Sequence, residues 1–321
     1  MNRPVPVSLA TGLAEADRSG PRGVHATKAR PVADANRRSR QQVNAGGVSW
    51  RVQRQPPTDG NPDALRILLL HGTGASLHSW QGLMPLLSEH HDVLTPDLPG
   101  HGQSSAHVSS APTLPAMASA VRALLDVMDF EPDIVIGHSA GCAIGLALVA
   151  TGACSPRLVI GLNAALKPYG GFLAPLAQPL ARLFSALGPV PRLLAARASM
   201  PGTVERLIEG TGSRLDAAGI EAYRNLLGRE DHVAATLTMM AHWDLDDLQR
   251  RFPSLDAPVV LVVGDGDRTV PPSQALEVAH RMPCARVVRL PSLGHLAHEE
   301  QPDLVGEAIL EAIAWSDRHG S

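Results

Sequence analysis

Aromatic residues are scarce in this chain, at 3% of 321 positions, so any core has to be assembled from Leu, Val, Ile and Ala. Cysteine is scarcer still. Cys142, Cys154 and Cys284 are odd in number and show no metal-ligand spacing, which excludes a disulfide framework and reads as free, mostly buried thiols in a reducing compartment. No apolar run approaches the roughly 18–20 residues that a membrane span needs. Charge of either sign is not in excess: the net charge is −3 and the pI near 6.5, so neither nucleic acid nor an anionic surface is called for as a partner. Pro6, Ser8, Thr11 and Gly12 interrupt the short apolar stretch near the start, and no signal peptide is read there. The expected location is the cytoplasm. No internal repeat is visible.

What is present is the composition of a globular chain, with 44% hydrophobic and 18% charged residues. Residues 1–45 are rich in Arg, Ala, Pro and Ser without apolar periodicity and are expected to be a flexible basic tail. From Val48 the pattern changes. Val48-Ser-Trp-Arg-Val-Gln53 alternates like a strand, and Arg66–Leu70, Val93–Asp97, Asp133–Ile136, Arg157–Ile160, Pro258–Val263 and Ala285–Leu290 are short apolar runs of the kind buried on both faces. Helical spacing fills about 76–89, 112–128, 140–150, 273–282 and 302–316. Strand and helix therefore alternate, as in a mostly parallel, doubly wound α/β sheet. The alternation stops between 165 and 246, where Leu- and Ala-rich helical segments are broken by Pro and Gly. The expected organisation is an α/β core at 46–164 and 247–321, interrupted by a helical cap at 165–246.

Gly137-His-Ser139-Ala-Gly141 fits G-x-S-x-G between a buried strand and a small-residue helix. Such an elbow holds its serine on a sharp, strained turn, and glycines two residues to either side let neighbouring backbone approach. Ser139 is the expected nucleophile. A serine hydroxyl needs a base and the base an orienting carboxylate, in the chain order Ser, Asp or Glu, His. Asp267, in Gly264-Asp-Gly-Asp267-Arg-Thr-Val-Pro271, is favoured over Asp265 and Asp244 by the Gly-x-x-Asp-x-x-Val-Pro spacing that this kind of fold uses. His295 follows the last strand and is favoured as base over His71, His101, His138 and His298. The amides of Ala140 and of Thr73, in the glycine-rich loop His71-Gly-Thr-Gly74, are the expected oxyanion donors. No metal site, phosphate-binding loop or cofactor is implied. A serine at the elbow also argues against the dehalogenase and epoxide-hydrolase branches, which carry aspartate there.

These motifs, with Pro96-Asp-Leu-Pro-Gly-His-Gly102, resemble the α/β-hydrolase superfamily throughout residues 48–316. A narrower resemblance rests on Val43–Trp50, Asn163-Ala-Ala-Leu166, Tyr169-Gly-Gly171, Thr211-Gly-Ser213, Met239–Leu245 and Gly294–Glu300. It is to the bacteriochlorophyll-biosynthesis hydrolases described as magnesium chelatase accessory proteins. The superfamily implies ester or related acyl hydrolysis. The narrower family implies a setting at magnesium insertion, contact with the chelatase and an apolar, tetrapyrrole-like ligand, at or near the photosynthetic membrane. Phe172–Phe184, Leu-rich with two aromatics and one charge, reads either as ordinary packing or as an apolar pocket roof. Two other functions stay open: a non-catalytic porphyrin-binding or chelatase-assisting protein, and a generic carboxylesterase or C–C bond hydrolase.

Overall fold

A computed structural model of the chain describes residues 7–9, 40–107, 110–168 and 188–319. Nine strands form one sheet: β1 (Val7–Leu9), β2 (Arg40–Ala45), β3 (Val48–Gln55), β4 (Arg66–Leu70), β5 (Asp92–Pro96), β6 (Ile134–His138), β7 (Leu158–Leu162), β8 (Val259–Gly264) and β9 (Ala285–Leu290). Their spatial order is β1-β9-β8-β7-β6-β4-β5-β3-β2. Only the β2–β3 and β3–β5 pairings are antiparallel. The chain runs from β4 to β5 on one side and then returns to place β6 on the other side of β4. That reversal opens a crevice at the carboxyl ends of β4 and β6, where open α/β sheets bind ligands.

The apolar runs divide by alternation. Leu68, Leu70 and Val135 face one layer with Val121, Leu124, Ile144 and Leu148, from α2 (Leu114–Val127) and α3 (Ala140–Ala150). Ile67, Leu69, Ile134 and Ile136 face the opposite layer with Leu83 and Leu87 of α1 (Leu83–Leu87) and Ile309 and Ile313 of α11 (Pro302–His319). Each such side chain contributes roughly 1.5–3 kcal/mol on burial. The strands are therefore apolar throughout because both faces of the sheet are covered. Trp50, Trp80, Phe130 and Phe252 are all fully buried, so most of the described aromatics go to the core.

Between β7 and β8 lie α4 (Pro189–Ala198), α5 (Thr203–Gly210), α6 (Ala217–Leu227), α7 (Glu230–His242) and α8 (Asp246–Arg251); α9 (Ser273–Ala279) and α10 (Ala297–Glu300) follow later in the chain. Val204, Ile208 and Tyr223 form a small cluster with Ala75 and Leu296, which belong to the loops after β4 and β9. No helix among the described residues is long and apolar enough to cross a membrane.

Three details differ from the sequence reading. Arg40–Ala45, assigned there to the flexible tail, is strand β2. Gly46 and Gly47 both take positive φ (56° and 76°), the conformation that closes a two-residue hairpin, and the segment folds back on β3. Val7–Leu9, also assigned to the tail, pairs in parallel with β9. The helix expected over 76–89 splits into a 3-10 turn at Leu77–Trp80 and the short α1. Gly82 lies between them, packed so close to Pro302 that a Cβ would stand 2.7 Å from it. Tyr169-Gly-Gly171, the proposed roof at Phe172–Phe184 and residues 10–39 of the tail lie outside the described residues.

Among the described glycines the tightest approach is at Gly141, whose added Cβ would stand 2.0 Å from the Leu70 carbonyl oxygen. Gly141→Ala is expected to cost about 3 kcal/mol or more in urea unfolding. Gly210→Ala, where a Cβ meets nothing within 4 Å, is expected to be neutral or to stabilise by up to about 1 kcal/mol.

Candidate active site

Ser139 stands between β6 and α3 with φ 51° and ψ −117°, a strained conformation for a residue with a side chain. Packing enforces it. A Cβ at Gly137 would lie 2.3 Å from the Cys142 nitrogen, so strand and helix can make this turn only with glycine there. Ser139 N–H donates to Leu162 O of the adjacent β7, and Ser139 O accepts from Ala165 N–H. The side chain caps no backbone amide of α3. Gly72, in the loop after β4, is so close that its Cβ would stand 3.1 Å from the Ser139 Cβ.

Asp267 follows β8 and His295 follows β9. His295 Nδ1–H donates to Asp267 Oδ2 at 2.8 Å, with both side chains buried. Asp267 is itself held: Oδ1 accepts from the Thr269 and Val270 amides at 2.7 and 2.9 Å, and Oδ2 also accepts from Asn163 Nδ2 at 2.8 Å. Three hydrogen bonds besides the imidazole leave the carboxylate a single orientation. The two competing carboxylates lie elsewhere, Asp265 paired with Arg289 and Asp244 accepting from the Asp246 amide. The amides of Thr73 and Ala140 have no acceptor among the described residues.

The rival histidines have other tasks. His71 gives Nδ1–H to Gly72 O at 2.8 Å and accepts the Leu98 amide on Nε2 at 2.9 Å, bracing two loops. His138 turns away from Ser139 and donates Nε2–H to the His295 carbonyl at 3.0 Å. His298 is fully buried against Trp80 and His138, with ring centroids 4.9 and 4.5 Å away. Burial pushes His71 and His138 well below the usual imidazole range, and His101 and His298 down to about 3. All four are neutral at physiological pH.

Several residues without an expected role at the site reach it from the segment between β7 and β8. Thr211 O accepts from both the Arg268 and the His295 amides. Ser213, almost wholly buried, accepts the Leu296 amide on Oγ at 2.8 Å. Gly212 takes φ 87° and sits so close to Gly266 that a Cβ would meet its carbonyl at 2.1 Å. The Thr211-Gly-Ser213 motif is thus a wedge between the loops that carry Asp267 and His295. His232 of α7 accepts the Gly102 amide on Nδ1 and donates Nε2–H to Gly74 O. Thr73 Oγ1 donates to Met239 Sδ at 3.8 Å. Asn163 had one usable signal in sequence, since it directly follows a parallel strand, at the sheet end where sites assemble. The wedge stands in the sequence only as the Thr211-Gly-Ser213 motif of the narrower resemblance, with no role attached, because its partners are more than fifty residues away.

Below the site, Glu299 is buried and accepts from Tyr223 OH at 2.7 Å and Ser79 Oγ at 2.8 Å, both on Oε1. Burial pushes its carboxyl up to about 7, against the pull of those two hydrogen bonds. Glu300 staples the loop that carries His295 by accepting the Gly294 and Arg214 amides. Among the described residues no group of three or more His, Cys, Asp or Glu side chains is arranged to hold a metal.

A family model described as "Alpha/beta hydrolase family" matches residues 67–308. The chain is 38% identical over 266 residues to the Magnesium-chelatase 30 kDa subunit of Rhodobacter capsulatus, covering 83% of this chain and 91% of the relative. It is 25% identical over 256 residues to the uncharacterized hydrolase YugF of Bacillus subtilis (strain 168), covering 79% and 91%. Among solved structures, an alpha/beta hydrolase fold protein from Burkholderia ambifaria superposes with a TM-score of 0.70 at 23% identity, over 84% of this chain and 97% of that one. The enol-lactonase from Burkholderia xenovorans LB400 superposes with a TM-score of 0.69 at 22% identity, over 85% and 100%. At such identities the structural likeness speaks for the fold.

The buried Glu299 makes a pH prediction. Its carboxyl binds a proton more tightly in the folded chain, at about 7 against an ordinary 4.5. Between those values the native state holds more protons than the unfolded one, so this group's contribution to stability falls as pH rises through the window. The loss is roughly 3 kcal/mol at about 1.4 per pKa unit. Glu299→Gln keeps an oxygen for Tyr223 and Ser79 but does not titrate. Urea unfolding at pH 5 and pH 8 is expected to show the variant gaining on the wild type as pH rises.

Proposed function

The chain belongs to the alpha/beta hydrolase family, and we propose that it is a serine hydrolase acting on an ester or related acyl bond. The observation that carries this reading is the strained Ser139 turn at the same sheet end as a buried Asp267–His295 pair whose carboxylate is held by three further hydrogen bonds. In this proposal Ser139 Oγ attacks the carbonyl carbon while its proton passes to His295 Nε2. Asp267 keeps the imidazole in the Nδ1–H tautomer and stabilises the imidazolium that forms. The Thr73 and Ala140 amides, which lack acceptors among the described residues, take the oxyanion of the tetrahedral intermediate. His295 then returns the proton to the departing oxygen. Water, deprotonated in turn by His295, releases the acyl group and restores Ser139.

The setting we propose is bacteriochlorophyll biosynthesis at the magnesium chelatase step, with a tetrapyrrole-like apolar substrate and contact with the chelatase. Its support is the 38% identity, over most of both chains, to a protein named as a magnesium-chelatase subunit. In this reading the described helices between β7 and β8 belong to a cap over the site, and the protein works in the cytoplasm or against the photosynthetic membrane. The same name favours a second reading, a chelatase-assisting protein whose hydrolytic machinery is dispensable.

Labelling and complementation separate the two. Wild-type protein is expected to react with a fluorophosphonate probe at Ser139, and Ser139→Ala to lose both labelling and p-nitrophenyl ester turnover, with kcat down about 10⁴-fold or more. Failure of the wild type to label sinks the hydrolase reading. Full restoration of pigment by Ser139→Ala in a deletion strain, with labelling intact in the wild type, places the pathway role outside catalysis.

A further inference from the structure

Apart from the Ser139 site, a pocket of about 380 Å³ lies where the corner between α6 and α7 meets the β2–β3 edge of the sheet. Arg40 from β2, Arg51 from β3 and Arg229 from the residue before α7 line it. Asp97 is its one acidic lining residue. That carboxylate is almost wholly buried and already engaged, Oδ1 accepting the Leu77 amide and Oδ2 the Gln103 amide, each at 2.7 Å. It lies within electrostatic reach of Arg40 and Arg51, whose charges pull its carboxyl down against the larger upward push of burial.

The arginines differ in how they are used. Arg40 donates Nε–H to Gln53 Oε1 at 3.1 Å. Arg229 forks onto Asp231 and reaches the Gly102 carbonyl. Arg51 is bonded through its backbone amide to Ser104 Oγ, and its guanidinium donates to no described residue. A guanidinium offers five donors in a rigid fork that matches a carboxylate or phosphate. Here it faces a pocket whose other strong charges are mostly of its own sign. The floor is different in kind: Leu77 and Leu226 are buried there, with Ala222 beside them. The volume is within the range of small-ligand pockets, roughly 300–1,000 Å³, and has room for an apolar body beyond one anionic group.

We propose that this pocket binds a small molecule through a carboxylate or phosphate group, with Arg51 as the principal anchor, Arg229 beside it and the apolar body on Leu77 and Leu226. Ser76 and Leu77 continue the loop that begins at His71, so the occupant touches the outer part of the segment whose inner part carries Thr73. It also joins the α6–α7 corner to the sheet. The proposal does not depend on the hydrolase reading, because binding here uses none of Ser139, Asp267 or His295.

The test is calorimetric titration of the full chain with benzoate and, separately, with inorganic phosphate, at ionic strength held constant with sodium chloride. Saturable binding of at least one anion to the wild type is expected, and whichever binds identifies the source chemistry. Arg51→Met is expected to weaken that binding about tenfold or more, and Ser139→Ala to leave it unchanged. Asn225→Asp, at an exposed lining position, sets a carboxylate in the pocket and is expected to weaken binding similarly without relying on the first variant's folding. The proposal is overturned if neither anion binds saturably. It also falls if the folded variants at 51 and 225 bind as the wild type does, or if Ser139→Ala abolishes binding and so moves the anion to the catalytic pocket.

Discussion

One steric constraint underlies the rest: α3 has to start almost on top of the β4 backbone. Gly141 packs against the Leu70 carbonyl and Gly137 against the Cys142 amide, at separations no side chain survives. With both neighbours pinned, the residue between them has no ordinary backbone region left, and Ser139 is driven to φ 51°. Strain of this kind persists only where the surroundings over-determine it. Here they do, because β4 and β6 are adjacent in a sheet buried on both faces. The cost of the turn is met by the core, and its product is a serine at the crevice where the strand order reverses.

Electrostatic roles around that serine are divided by burial and by partners. His71, His101, His138 and His298 are held neutral by desolvation, and three of them serve as neutral hydrogen-bonding groups within or between loops. His295 alone among these neighbours has a carboxylate on its Nδ1, and that carboxylate has every other hydrogen bond it needs for a single pose. A ring of neutral imidazoles also avoids placing fixed positive charge beside a proposed base, which would oppose its protonation.

The helices between β7 and β8 are part of this construction. Thr211, Gly212 and Ser213 tie together the two loops carrying Asp267 and His295, while His232 and Met239 hold the loop carrying Thr73. Glu299 and Tyr223 join α6 to the core beneath. The wedge has few conformational choices, since Gly212 and Gly294 bring backbone against backbone.

How much of this was legible in sequence follows from the range of the interactions. The α/β alternation, the two-faced strands and the G-x-S-x-G elbow are local patterns, written within five to fifteen residues, and each emerges close to where it was read. The tail boundary is not legible in sequence because the polar run Arg40–Ala45 has no apolar periodicity of its own; its strand character comes from the Gly46-Gly47 turn and from pairing with β3. The single helix expected over 76–89 is two short pieces, and Gly82 between them packs on Pro302, more than two hundred residues away.

By itself, then, the sequence determined the class of fold and the residue at the elbow, because backbone sterics and hydrophobic periodicity act between near neighbours. It could rank Asp267 over Asp265 and His295 over His298 by spacing, but it held no physical measure of which pair meets. Only the tertiary structure decided that. It joined Asp267 to His295, sent Asp265 to Arg289, buried His298 with neither ring nitrogen hydrogen-bonded to a described residue, and brought Asn163 and the Thr211–Ser213 wedge to the same sheet end. Those outcomes depend on strand order and on burial, and both belong to the folded sheet.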